Sequence, residues 1–105
     1  VEISLLMDIY SPLLTEKQKN IMELYYNDDL SLAEIAELNN TSRQAIHDLI
    51  KRCYKQILSY EDKLNLLKKS LEKESVIEAL LNDMKKKYSI EEKDLEEYKD
   101  ILFNL

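Results

Sequence analysis

Residues 30–51, LSLAEIAELNNTSRQAIHDLIK, read as two helices joined by a tight turn, and the remainder of the chain is best read outward from them. Ser31 followed three positions later by Glu34 is a capping box, in which hydroxyl and carboxylate each accept from an amide that a helix start leaves free. A helix is therefore expected to open at Leu32 and to bury Leu32, Ile35 and Ala36 on one face. Ala36 puts no more than a methyl group where a second helix has to cross closely. The first helix must stop at Asn39-Asn40, because asparagine tolerates the left-handed backbone region better than any residue but glycine, and this chain has no glycine. Asn40 is the expected turn residue. Thr41 and Ser42 then offer hydroxyl caps to a second helix, with Gln44 placed to close a capping box on Thr41 and Ile46, Leu49 and Ile50 repeating toward the core.

On that second helix Ser42, Arg43, Gln44, His47, Asp48 and Lys51 fall away from the apolar repeat, on the face that would meet a major groove if the pair of helices is a helix-turn-helix. An arginine fork matches a guanine edge and a glutamine amide an adenine edge, so Arg43 and Gln44 suit base readout. Lys51, Arg52 and Lys55 suit phosphates. The same residues would equally make the solvated face of an ordinary helical hairpin. His47, the one histidine, has only polar neighbours on its helix and reads as a surface or groove contact rather than a catalytic group.

Outward from the motif the chain remains helical. A helix is expected from about Glu2 to Tyr10, with Ile3, Leu6, Met7 and Tyr10 on one side and Ser11-Pro12 ending it. Thr15 with Gln18 caps the next, which buries Ile21, Met22, Leu24 and Tyr25 and stops at Asn27-Asp28-Asp29. After the motif, Ile46, Ile50, Cys53, Ile57, Tyr60, Leu64, Leu67 and Leu71 alternate at spacings of four and three with no glycine or proline between them, the pattern of a coiled-coil seam on one long helix. The alternative is that this helix packs against the chain's own helices, since Leu49, Leu58 and Leu66 widen the stripe. Ser75 with Glu78 and Ser89 with Glu92 are read as starts of two further helices, carrying Val76, Ile77, Leu80, Leu81 and Met84, then Leu95, Tyr98, Ile101, Leu102 and Leu105. The expectation is an all-α fold: a helix-turn-helix followed by a long helix and a C-terminal helical hairpin. It is read as a single all-helical domain over 1–105, with the helix-turn-helix core at 15–58 and a C-terminal dimerisation or packing extension at 59–105. So much apolar stripe on so small a chain predicts a homodimer.

Composition bounds the chemistry. Without glycine there is no glycine-rich phosphate loop, and one histidine and one cysteine supply no zinc set of the usual kind. No enzyme, cofactor or metal is expected. Cys53 lies on the apolar side of the second motif helix and reads as a small core residue. No apolar run is long enough to span a bilayer and no secretory leader is evident, so a cytoplasmic protein without a membrane partner is expected. The 21 acidic and 15 basic side chains give a net charge of −6, which opposes nucleic-acid binding. Between Ser42 and Tyr60, however, Arg43, Lys51, Arg52 and Lys55 face a single carboxylate, Asp48, whereas the segments on either side sum negative. The cluster Lys85-Lys86-Lys87 reads as a helix carboxyl end complementing its dipole.

Upstream of the motif, SPLLTEKQKNIMELYYNDDLSLAEIA resembles the lead-in to the fourth region of bacterial sigma factors. The order of DIYSPLLTEKQK, ELYYNDDLSLAEIAE, SRQAIHDLIKRC and EDKLNLLKK is similar to the YlxM family of small bacterial helix-turn-helix proteins over roughly the first two-thirds of the chain. The genes of that family lie beside those of the signal recognition particle. The resemblance implies a DNA-binding regulatory protein linked to that pathway, or alternatively an accessory that contacts the particle's RNA or protein, or its targeting GTPase, without reading DNA sequence.

Overall fold

The computed structural model describes residues 3–105. Its elements are α1 (Ile3–Tyr10), a 3-10 turn (Ser11–Leu13), α2 (Glu16–Tyr26), α3 (Leu32–Leu38), α4 (Arg43–Leu64), α5 (Leu66–Lys87) and α6 (Glu92–Phe103), with no strand among the described residues. The fold is all-α, as the composition and periodicity require. Glu2, expected to open the first helix, lies outside the described residues. Two compact units divide the chain, one ending at Leu67 and the other beginning at Lys68.

In the first unit, α1 to α4 enclose one core. Thr15 and Gln18 form both halves of their capping box, as do Ser31 and Glu34. Each box satisfies two amides that would otherwise face the helix end unpaired, which fixes where α2 and α3 begin. Between the helices the chain reverses at Asp29 and Asn40, both with positive φ, 54° and 51°. Asn40 is thus the left-handed turn residue expected from sequence. Around it Thr41 N–H donates to Ala36 O (3.0 Å) and Asn40 N–H to Glu37 O (3.3 Å), the bond pair of a Schellman motif. Asn39 adds its side-chain amide on Ile35 O at 2.8 Å, so the asparagine pair satisfies the carbonyls at the end of α3.

Ile21, Met22, Ile35, Ala36, Ile46, Ile50, Cys53 and Ile57 are buried together with Leu6, Met7 and Tyr10. Leu24, Tyr25, Leu32 and Leu49, also expected inside, are partly buried and pack on the margin of this core.

Four expectations are corrected. The second motif helix is capped by Ser42, whose Oγ accepts from Ala45 N–H at 3.1 Å, and not by a Thr41–Gln44 box. Gln44 donates its amide to Asp48 Oδ1 instead (3.0 Å), one helical turn along. The long seam is not one helix: α4 ends at Leu64 and Asn65 turns left-handed, φ 54° and ψ 31°. Its first four positions, Ile46, Ile50, Cys53 and Ile57, are spent on the chain's own core, so they form no exposed coiled-coil face.

The break is held by a contact between distant parts of the chain. Tyr10 OH donates to Glu61 Oε1 (2.6 Å) and accepts from Leu66 N–H (3.2 Å), while the same carboxylate oxygen accepts from Leu67 N–H (3.0 Å). A phenol from α1 and a carboxylate from α4 thereby cap α5, a role usually taken by a local hydroxyl. Burial, and the hydrogen bond to Glu61, push the Tyr10 phenol upward from its ordinary value.

Because α5 is capped at Leu66, it runs through Ser75 without a new start, the third correction. The fourth concerns α6, which begins at Glu92 with Glu91 at its cap position and no side-chain cap, three residues beyond Ser89. Ile90 explains the delay, since it packs on the small core of Ile77, Leu81 and Leu95 and is held outside the helix. Glu92, the expected box partner, pairs with Lys85. In this second unit α5 and α6 run antiparallel, with Lys99 on Glu78 (2.8 Å) and Lys73 Nζ on Leu105 O (2.6 Å) marking the register. The hydrogen bond that Lys99 donates to the Glu78 carboxylate is the main cause that raises the Lys99 pKa. The basic last turn of α5 is as expected, with Lys87 paired to Asp83 at 3.2 Å.

Candidate nucleic-acid interface

All eight predicted interface residues, Ser42, Arg43, Gln44, His47, Asp48, Lys51, Arg52 and Lys55, are exposed, and all lie on the amino-terminal part of α4 or at its cap. The helix is carried there by its buried stripe of Ile46, Ile50, Cys53 and Ile57, which forces the polar residues outward. Arg43, His47 and Lys51 follow one another at the i, i+4 interval and form a single ridge. Gln44, Asp48 and Lys55 make the neighbouring strip. Arg52 stands apart: at 3.6 residues per turn it is about two and a half turns from Arg43, half a circumference out of phase, so the two cannot share one groove floor.

Electrostatics divides the face in two. Among the described residues, Arg43, Lys51, Arg52 and Lys55 enter no ion pair with the chain's own carboxylates. Asp48 lies between them, accepts from Gln44 Nε2 and stands 3.6 Å from His47 Nδ1. Its charge opposes phosphate, and its bond to Gln44 occupies the amide nitrogen that an adenine edge would need. The Ser42 hydroxyl is engaged as a cap, so its part is to fix the start of the helix.

Three residues beside this face were not assigned to it from sequence, where Tyr25 was read only as a core residue. Tyr25, Tyr26 and Tyr54 line a cleft with His47 and Lys51. The doublet at 25–26 and the i, i+3 interval from Lys51 to Tyr54 are visible in the sequence. That α2 lays its doublet against this edge of α4 is a tertiary fact.

No helix among the described residues is long and apolar enough to cross a membrane. Nor do those residues hold three or more His, Cys, Asp or Glu side chains grouped so as to bind a metal ion.

A short helix, a left-handed asparagine turn and a second helix presenting its polar face, all built on one core, define a helix-turn-helix protein. Residues 1–101 match the family model described as "Putative helix-turn-helix protein, YlxM / p13 like", and the chain belongs to that family, UPF0122. It is similar to a UPF0122 protein of Clostridium botulinum strain Alaska E43, with 68% identity covering 100% of this chain and 96% of that one. A UPF0122 protein of Clostridium perfringens strain SM101 is 57% identical over 94% of this chain and 88% of its own length. One from Clostridium novyi strain NT is 60% identical, covering 80% and 76%.

Proposed function

We propose that the chain is a non-enzymatic regulatory protein that binds duplex DNA through α4, with Arg43, Gln44, His47 and Lys51 entering the groove and Lys55 and Arg52 on flanking phosphates. The observation that carries this reading is that four cations, none in an ion pair among the described residues, lie exposed along the amino-terminal part of the second motif helix, Arg43, Lys51 and Lys55 on the ridge and its neighbouring strip and Arg52 to one side, in a chain whose net charge is −6. Gln44 exchanges its bond to Asp48 for a base edge when DNA seats. The cytoplasm, and the signal recognition particle pathway in particular, is the setting we infer from the family resemblance.

A homodimer belongs to the same reading. With the start of the predicted seam spent on the first unit's core, the dimer surface is assigned to the α5–α6 hairpin, where Val76, Leu80, Tyr98 and Ile101 are exposed. Two copies double the phosphate contacts, which compensates for the small charge of each.

The test is fluorescence anisotropy of a random-sequence duplex with the parent protein and the Arg43→Ala/Lys51→Ala variant, at low and at physiological salt. The parent binds in a salt-sensitive manner, and the double variant binds about 10-fold or more weakly with an unchanged circular dichroism melt. Equal binding by both proteins, or none by either, rejects groove reading. The acidic balance favours a second reading, an accessory that contacts the signal recognition particle's RNA or protein, or its targeting GTPase. Binding to that RNA with no duplex binding would select it.

A further inference from the structure

The edge of α4 that carries His47 and Lys51 borders a cleft of about 260 Å³ formed with α2 and the start of α3. Tyr25, Tyr26 and Tyr54 line it, and Leu32 and Ile50 complete its apolar part. Tyr25 and Tyr26 meet edge to face, with centroids 4.9 Å apart and planes at 90°. Burial and the neighbouring phenols Tyr25 and Tyr54 raise the Tyr26 pKa, so the three rings share one partly desolvated space. In a chain with 21 acidic residues no carboxylate lines this cleft, and Lys51, which enters no ion pair among the described residues, favours an anion there, while His47 stands 3.6 Å from Asp48, a residue outside the lining.

Tyrosine rings beside a cation match a flat ring joined to a phosphate. We propose that this cleft binds one unpaired nucleotide of a nucleic-acid strand, its base stacked on a tyrosine ring and its adjoining phosphate on Lys51. Base faces inside a duplex are covered by their neighbours, whereas those of a loop, bulge or single strand are free to stack on tyrosine. Stacking of this kind tolerates any base, so the cleft adds affinity for unpaired strands with little sequence preference. An aromatic side chain of a protein partner would fill the same walls but leave Lys51 without an anion. The inference goes beyond duplex binding: it shares Lys51 and His47 with that reading and needs neither Arg43 nor Gln44.

Tyr54 is the position to change, since it is 37% exposed and outside the core of the first unit. A labelled single-stranded oligonucleotide of mixed sequence and a blunt duplex of the same sequence are titrated with the full chain and its variants. Tyr54→Ala should bind the single strand about 10-fold more weakly, the loss of one stacked base. Tyr54→Phe should bind it as the parent does, and Tyr54→Trp should show indole fluorescence quenched by the single strand. Arg43→Ala should leave single-strand binding intact while weakening the duplex, so the two readings fail separately. The proposal is overturned if the parent does not bind the single strand, if Tyr54→Ala binds it as tightly as the parent, or if Arg43→Ala and Tyr54→Ala weaken both nucleic acids equally. Circular dichroism melts of every variant separate a lost contact from a lost fold.

Discussion

Single side chains decide where the helices of this protein begin and end, and the local ones are those that sequence reveals. Ser31 and Glu34 are three residues apart, so their mutual capping is written in the order of the chain, and the structure forms it at 3.1 Å in both directions. Hydrogen bonding from the Ser31 amide first, and from its side chain second, holds the Glu34 carboxyl below its ordinary value. A depressed folded value means that the contribution is present above the unfolded carboxylate range and is lost as pH falls through the folded value. Thermal melts should therefore show a stability loss on acidification that is smaller in Glu34→Gln. Tyr10 behaves oppositely. Its spacing marks it as a core residue, but its bond to Glu61 spans 51 positions, and no local pattern announces it. Because its folded value is raised, its contribution is complete below the ordinary phenol value of 10.0 and is lost as pH rises through the folded value. Melts in alkaline buffers should show a fall in stability that is blunted in Tyr10→Phe, a variant less stable at neutral pH because the Leu66 amide loses its acceptor.

Among the elements, the helix-turn-helix was legible and the break after α4 was not. Apolar residues keep their four-three spacing through Ile57, Tyr60, Leu64, Leu67 and Leu71, so periodicity alone argues for one uninterrupted helix. The one local sign was Asn65, the residue type that also makes the turn at Asn40, in a chain with no glycine to take either place. Left-handed backbone costs an ordinary residue about 1–2 kcal/mol. Asn65→Val should accordingly lower stability in urea unfolding by about that amount, while Asn65→Gly should leave it unchanged or raise it. The serine–glutamate pair at 75 misled for a related reason. A capping signature acts only where the helix has a free end, and α5 receives its cap from Tyr10 and Glu61 instead.

For the molecule as a whole, charge decides how tightly any nucleic acid can be held. The eight positions read as an interface are all exposed on α4 or at its cap, yet sequence did not reveal that Gln44 and Asp48 occupy each other or that three tyrosines stand beside Lys51. Four cations per copy cap the slope of log affinity against log salt at about −4 even if every one reaches a phosphate, and two copies on one duplex cap it at about −7. Anisotropy titrations across a salt series, read beside sedimentation equilibrium, check slope and stoichiometry together. The lone thiol offers another use of the same architecture. Cys53 is only 1% exposed in the first unit's core, and burial raises its pKa, so a thiol reagent must wait for that core to open. No second cysteine competes, and none lies in the hairpin. Its labelling rate is therefore a built-in clock for breathing of the first unit, able to register whether a bound nucleic acid slows that opening without any tag being introduced.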